Sequence, residues 1–248
     1  MTLCLVAASR THQGLVRRRN EDSHSQGQWL YVVADGLGGH VAGDVASSTV
    51  VAAVQAYDRA VDPEDLADFL GRAINDASDE LRRKVRENPD LAGMGTTFVA
   101  LLHSGGHAIA ANVGDSRAYL VRRHGSRDNA LVQISEDHTY EHLVADAEEV
   151  PHLSGRLARF LDGRADGRSA DLRPLQLQPG DRVLLCSDGL SSYVPHEQIR
   201  AALDSDDNPG SIADQLVGMA IDQGGHDNVT VIVIDVTRAA LRNPTNDE

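Results

Sequence analysis

Four aspartates in this 248-residue chain stand where an apolar run meets a turn. Tyr31-Val32-Val33-Ala34 leads into Asp35-Gly36, and Leu184-Leu185-Cys186-Ser187 leads into Asp188-Gly189 in the same form. Val113-Gly114-Asp115-Ser116 sets a third carboxylate in a turn, and Gly225-His226-Asp227-Asn228 sets a fourth just ahead of an apolar strand. Asn20-Glu21-Asp22 adds acidic residues before a further apolar run. A glycine beside such an aspartate leaves room for a ligand, or offers its own carbonyl to one. Carboxylates gathered at one sheet edge repel and raise one another's pKa unless a cation sits among them. Oxygen-only donors favour Mg²⁺ or Mn²⁺ over Zn²⁺. Asp-Gly is also an ordinary turn, and spacing alone does not bring the four together, so both readings stay open.

Two other patterns point to different chemistry. His138-Thr139-Tyr140-Glu141-His142 fits H-x-x-E-H, the inverted zinc-peptidase arrangement, which on a helix puts both imidazoles on one face with Glu141 as general base. No third ligand is evident, and a zinc peptidase at His138 and His142 stands as a rival reading. Cys4 and Arg10 have the spacing of a cysteine-nucleophile phosphatase loop. The five residues between them hold no glycine and read as a strand, which cannot wrap its amides around a phosphate. The segment 36–43 is glycine-rich, yet it is neither a P-loop nor G-x-G-x-x-G.

The elements that must position these residues follow from apolar periodicity. Strands are expected at 3–8, 29–34, 96–102, 108–113, 118–121, 131–134, 183–186 and 229–236. Gly105-Gly106 and Gly114-Asp115 read as hairpin connections. A helix is expected over about 43–60, with Val45, Thr49, Ala52, Ala53 and Ala56 on its inner face. A second opens at Asp62-Pro63, carries Leu66, Leu70, Ala73, Ala77, Leu81 and Val85 at helical spacing, and stops at Asn88-Pro89. Two more are expected near 195–203 and 211–222. Strands, a helix pair, more strands and closing helices do not alternate as βαβα units, so the expectation is a layered α+β domain with largely antiparallel sheet. The stretch 138–174 is the least regular, and reads as an excursion over a site.

Composition narrows the function classes. With 23 basic and 37 acidic residues the net charge is −14, which argues against sequence-independent binding to nucleic acid or to an anionic membrane. Two cysteines are too few for a disulfide framework. No stretch reaches the roughly 20 apolar residues of a membrane helix, and no signal peptide is evident. The expected location is cytoplasmic.

Six segments, taken in order, resemble one family. They are Gly14 to Asp22, Val33 to His40, Gly93-Met94-Gly95-Thr96-Thr97, Asn112 to Arg117, Cys186-Ser187-Asp188-Gly189-Leu190 and Asp227-Asn228-Val229-Thr230-Val231. Together they resemble the metal-dependent type-2C protein phosphatases, the PPM family, in compact bacterial form. The resemblance spans residues 11–236. It implies a β-sandwich of two mainly antiparallel sheets flanked by helix pairs, in α-β-β-α layers. One catalytic domain would cover 1–237, with a flap at about 135–173 and a polar tail at 238–248.

The same resemblance makes Asp35 the carboxylate bridging two Mn²⁺ or Mg²⁺ ions, with the Gly36 carbonyl on one of them. Asp188 and Asp227 would hold the first ion, and Glu21 would lie near the second, largely through water. Asp115, sharing Asp188, would hold a third and looser ion, with Asp137 a further ligand there. Arg17 would bind the phosphate. A hydroxide bridging the metals would attack phosphorus in line, releasing phosphate from phosphoserine or phosphothreonine of proteins. The position after Asp35-Gly36 is Leu37 rather than the His of some members, so a metal-bound water is the expected acid, ahead of His40. His12 stands where the family commonly has Asp, and Asp44 where it has Glu. Substrates would be phosphoproteins of bacterial Ser/Thr kinases. A catalytically silent phosphoprotein-binding module of the same fold is the alternative that an intact carboxylate set opposes. Substrate identity and oligomeric state are not implied.

Overall fold

The computed structural model describes residues 3–37, 42–123, 130–143, 156–164 and 170–238. Its strands form where β-branched and aliphatic residues cluster. β1 (Leu3–His12) pairs antiparallel along its whole length with β11 (Val229–Arg238). Next come β10 (Asp181–Cys186), β7 (Arg117–Arg122) and β8 (Leu131–Gln133), giving a sheet ordered β1-β11-β10-β7-β8. The second sheet is ordered β2 (Asp22–Gln26), β3 (Leu30–Leu37), β5 (Phe98–Ser104), β6 (His107–Val113) and β9 (Asp171–Gln176). The two-residue β4 (Gly95–Thr96) pairs with the end of β3.

Side-chain alternation assigns the layers. Tyr31 and Val33 of β3 point between the sheets, where Leu101, Ala110, Leu120, Val183 and Ile232 meet them. Leu30, Val32 and Ala34 point the other way, under α1 (Gly43–Gln55) and α2 (Leu66–Glu87). Leu184, Val231 and Val233 of the first sheet lie under α5 (His196–Asp204) and α6 (Pro209–Asp222). Both faces of the central strands are therefore buried, which is why β3, β10 and β11 read as continuous apolar runs. The expected α-β-β-α layering is present.

Local differences have physical reasons. Gly105 at φ +59 does close a hairpin between β5 and β6. Gly114-Asp115 does not, because β6 and β7 lie in different sheets and this turn crosses between them. Of the residues expected on the inner face of α1, Thr49 is buried and Val45 and Ala53 pack against the core, but Ala52 and Ala56 are exposed; the buried stripe runs through Ala46, Val50, Val51 and Val54. Residues 63–65 form a 3₁₀ turn after Asp62, and α2 starts at Leu66. Strands β2 and β9 were not expected. β2, Asp-Ser-His-Ser-Gln, has no apolar residue, and β9 contains Pro174, which an edge strand tolerates. The expected excursion over 138–174 thus ends in regular sheet from Asp171 onward. Its described part includes the short α3 (Tyr140–Leu143), and bridges Thr139 to Leu157 and Thr96 to Leu161.

Candidate active site

The two sheets end together at one edge, and the acidic residues collect there. Asp35 lies in the last turn of pleat of β3, Asp188 follows β10 at the start of α4 (Asp188–Ser191), and Asp227 precedes β11. Asp115 sits in the crossover between sheets, which is how a turn residue reaches the same place. A cleft of about 220 Å³ is lined by Arg17, Glu21, Asp35, Gly36, Leu37, Asp115, Asp188, Asp227 and Asn228.

Backbone lashings fix these positions. Asp35 N donates to Thr97 Oγ1 at 2.9 Å, Thr97 N donates to the Asp35 carbonyl at 2.8 Å, and Thr96 Oγ1 donates to the same carbonyl at 2.8 Å. The Gly95-Thr96-Thr97 segment therefore clamps the end of β3. Asn228 ties three segments together: its Oδ1 accepts from Glu21 N at 2.8 Å, and its Nδ2 donates to the carbonyls of Gln13 and Arg19 at 2.8 and 3.0 Å. A Cβ on Gly36 would lie 2.2 Å from the Gly43 carbonyl oxygen, and one on Gly189 would lie 1.8 Å from that of Asn228. Both Asp-Gly pairs are thus close backbone approaches as well as turns.

The electrostatics are those of an anion cluster. Burial, reinforced by Asp22 and Asp188, holds the Asp35 carboxyl well above the usual carboxylate range. Burial, with repulsion from Asp227, raises Asp188 as well. Burial pushes Asp115 up to about 7, with Asp188 adding to it. Asp22 is also pushed up to about 7, by burial first, with Asp188 and Asp227 adding, although Ser187 Oγ donates to its Oδ2 at 2.8 Å. Arg17 offsets part of this field, its Nη2 donating to Asp227 Oδ2 at 2.5 Å.

The donor set fits a hard divalent cation. Oδ1 of Asp188 and Oδ1 of Asp22 are buried and have no hydrogen-bond partner, an arrangement that is costly without a ligand. Among the described lining residues, the carboxylates and the Gly36 carbonyl offer a cation oxygen alone. Among the described residues no three acidic, imidazole or thiol side chains stand close enough to hold an ion by themselves. An ion here would complete its shell with the Gly36 carbonyl and water, as Mg²⁺ commonly does.

The structure gathers Arg17, Glu21, Asp35, Gly36, Asp115, Asp188 and Asp227 into this cleft, but it keeps Asp137 out. That carboxylate is buried against Arg117, whose Nη2 donates at 2.6 Å and Nε at 3.0 Å, and it also accepts from Gln133. With its lone pairs so occupied, Asp137 is a partner of Arg117 rather than a ligand. Two residues went without a role in the sequence reading. Asp22 stands opposite Asp35 in the β2–β3 register, and Asn228 is the strap just described. Both belonged to the quoted segments, Asn20-Glu21-Asp22 and Asp227-Asn228, and only register and hydrogen bonding reveal what they do.

The competing motifs resolve locally. His138 is fully buried, Gly114 N donates to its Nδ1 at 3.1 Å, and its Nε2 meets Asp171 Oδ2 at 3.0 Å. Both ring nitrogens are engaged in tying the Asp115 turn to β9, and neither is available to zinc. The side chains of His142 and His40 lie outside the described residues. Cys4 and Arg10 sit on β1, as expected of a strand, with Arg10 paired to Asp214. His12 Nδ1 accepts from Gly14 N at 2.9 Å, which is local packing of the loop before Arg17.

Comparison with known proteins gives a consistent set. The profile of the family described as protein phosphatase 2C matches residues 8–212. The chain is 40% identical over 244 residues to the serine/threonine protein phosphatase PstP of Mycobacterium tuberculosis, a match covering 95% of this chain and 46% of that protein. The chain thus spans about half the length of PstP. It is 33% identical over 247 residues to the serine/threonine phosphatase stp of Listeria monocytogenes, covering 92% of this chain and 95% of the relative. The solved catalytic domain of PstP, in complex with two manganese ions, superimposes with a TM-score of 0.85 at 40% identity, covering 96% of this chain and all of that one.

Proposed function

We infer the activity from one premise: the chain belongs to the protein phosphatase 2C family, its match running through residues 8–212. On that premise it is a metal-dependent protein serine/threonine phosphatase. The observation that carries this reading is the cleft lined together by Glu21, Asp35, Gly36, Asp115, Asp188 and Asp227, with Arg17 among them.

Asp35, Asp188, Asp227, Glu21 and the Gly36 carbonyl would hold two ions, either Mn²⁺ or Mg²⁺, and Asp115 with Asp188 would hold a third. When bound, such ions supply Lewis acidity, bringing a water's pKa from 15.7 towards about 7 and offsetting charge on phosphoryl oxygens. The remaining work falls to the chain. Arg17 presents a planar fork that suits a phosphate dianion, and it must exchange Asp227 for the substrate as it does so. Thr96 and Thr97 hold Asp35 in place, and Asn228 holds the Glu21 and Arg19 backbone against the Asp227 loop. These straps hold the Asp35 and Glu21 segments of the cleft in place before a substrate arrives, and Arg17 is the group that changes partner. Leu37 offers no proton, so the leaving alkoxide takes its proton from water.

Residues 1–237 are taken as the catalytic unit. The substrates are phosphoproteins, and bacterial Ser/Thr kinases are their source. No helix among the described residues is long and apolar enough to cross a membrane, and a cytoplasmic site of action is part of the same proposal. The test is phosphate release from a phosphothreonine peptide after chelation, with Mn²⁺, Mg²⁺ or Zn²⁺ restored singly and vanadate in parallel. Rescue by Mn²⁺ or Mg²⁺, insensitive to vanadate, is the expected result. Failure of every metal to restore release from folded protein would refute the enzyme and favour the silent binding module.

A further inference from the structure

Six large apolar side chains are exposed by more than a third among the described residues: Val6, Leu15, Val16, Val132, Leu172 and Tyr193. Single exposed hydrophobics are common on any protein surface and need no explanation. Three of these six are tied to one loop, the Gly225-His226 segment that leads into Asp227, and that does. Leu15 is 66% exposed, Val16 62% and Tyr193 37%.

The backbone that carries Leu15 and Val16 is held in place. Leu15 N and Val16 N both donate to the Gly225 carbonyl, at 2.7 and 3.3 Å, and Gln13 Nε2 closes the loop by donating to the Arg17 carbonyl at 2.7 Å. Gly14, at φ +80, lets the loop approach so closely that a Cβ there would lie 2.3 Å from the Asp227 carbonyl oxygen. The Tyr193 ring lies 5.2 Å from that of His226, the residue between Gly225 and Asp227. Leu15, Gly225, His226 and Tyr193 therefore follow one another along a single rim, which Arg17 and Asp227 continue into the cleft.

We propose that Leu15, Val16 and Tyr193 form a subsite for an apolar side chain next to the phosphorylated residue of the substrate. The proposal rests on the phosphatase reading and deepens it. A phosphoryl group held at Arg17 brings the adjoining peptide within reach of this rim, since Val16 is the neighbour of Arg17 in sequence and Tyr193 lies in the field of Asp227, Asp188 and Arg17. An apolar flanking residue covers the patch and removes it from water. A charged or amide side chain there would be desolvated without a partner. Apolar surface on a fixed backbone contributes to binding through the area removed from water, with little backbone ordering.

The test compares the wild type, the double variant Leu15→Ser with Val16→Ser, and the single variant Tyr193→Ser. Substrates are p-nitrophenyl phosphate and two phosphothreonine peptides that differ only in carrying Leu or Asn beside the phosphothreonine. Tyr193 lies after α4, on a different segment from Leu15, so the two variants perturb folding independently, and melting temperatures are recorded for both. The wild type is expected to favour the Leu peptide in kcat/KM by roughly five- to ten-fold, carried mainly by KM. Both variants should lose that preference while turning over p-nitrophenyl phosphate within about two-fold of wild type. Equal kcat/KM on the two peptides with p-nitrophenyl phosphate turnover intact would overturn the subsite alone. Absence of p-nitrophenyl phosphate turnover in the wild type with every metal would overturn the phosphatase reading and this proposal with it.

Discussion

Asp35 concentrates the conflict between folding and function at the level of one residue. Burial, Asp22 and Asp188 all act against its charge, yet a cation ligand must be charged. The conflict predicts opposite effects from one substitution. In Asp35→Asn, metal-supported turnover should fall by at least about 100-fold, since a ligand for the ions that supply Lewis acidity is lost. The chelated variant should nevertheless melt higher than chelated wild type, because a repelling buried carboxyl has become neutral. Turnover assays and thermal scans in EDTA would check both, and a lower melting temperature in EDTA would argue that Asp35 is structural. Asn228 gives the complementary case. Asn228→Ala removes three hydrogen bonds that join Gln13, Arg19 and Glu21, and should cost about 2–3 kcal/mol in urea unfolding. A loss below about 0.5 kcal/mol would mean the strap contributes nothing.

Elements carry the carboxylates to one edge, and two interior features keep them there. At Gly189 an added Cβ would meet the Asn228 carbonyl oxygen at 1.8 Å. Backbone cannot swing aside as a side chain can, so Gly189→Ala should destabilise by more than about 3 kcal/mol or abolish folding. Normal stability and turnover in that variant would show that the α4–β11 approach is loose. Arg182, 1% exposed, spends all five N–H donors on Asp235 and on the carbonyls of Leu203, Ser205 and Asp207. It thereby fastens the end of α5 to the first sheet. Arg182→Met should cost about 2–4 kcal/mol, below the full cost of a broken buried pair because Asp235 keeps some contact with water.

The elements also show where sequence is readable. Strands buried on both faces, such as β3 and β10, announce themselves as apolar runs, and α2 by its leucine and alanine spacing. β2 does not, because its residues are polar and meet polar partners, Ser23 Oγ lying 3.0 Å from Ser47 Oγ of α1. Gly114-Asp115 looks the same in sequence whether it closes a hairpin or crosses between sheets. Asp137 has the type and position of a ligand, and only Arg117 beside it removes that role.

Across the whole molecule, the net charge of −14 and the buried carboxylates make stability depend on proton and metal together. Unfolded, Asp22 and Asp115 release protons at the ordinary carboxylate value of 3.8, whereas folded they hold them to about 7. Between those values the folded state binds more protons, so stability of the metal-free protein falls as pH rises through that window. The chelated protein should therefore melt higher at pH 5.5 than at pH 8, by several degrees in thermal scans. Mn²⁺ should raise the melting temperature more at pH 8 than at pH 5.5, because binding must displace those protons. A metal-induced shift that is larger at pH 5.5 would contradict this linkage.

The most direct test is a calorimetric titration of Mn²⁺ into the metal-stripped protein near pH 7, repeated in buffers of different ionisation enthalpy, with Asp35→Asn alongside. The account predicts at least two bound ions, a heat that changes with buffer as protons leave the cleft, and weakened binding with fewer sites in the variant. No binding by folded wild type, or identical binding by wild type and Asp35→Asn, would contradict the central claim that this acidic cleft is a divalent metal centre.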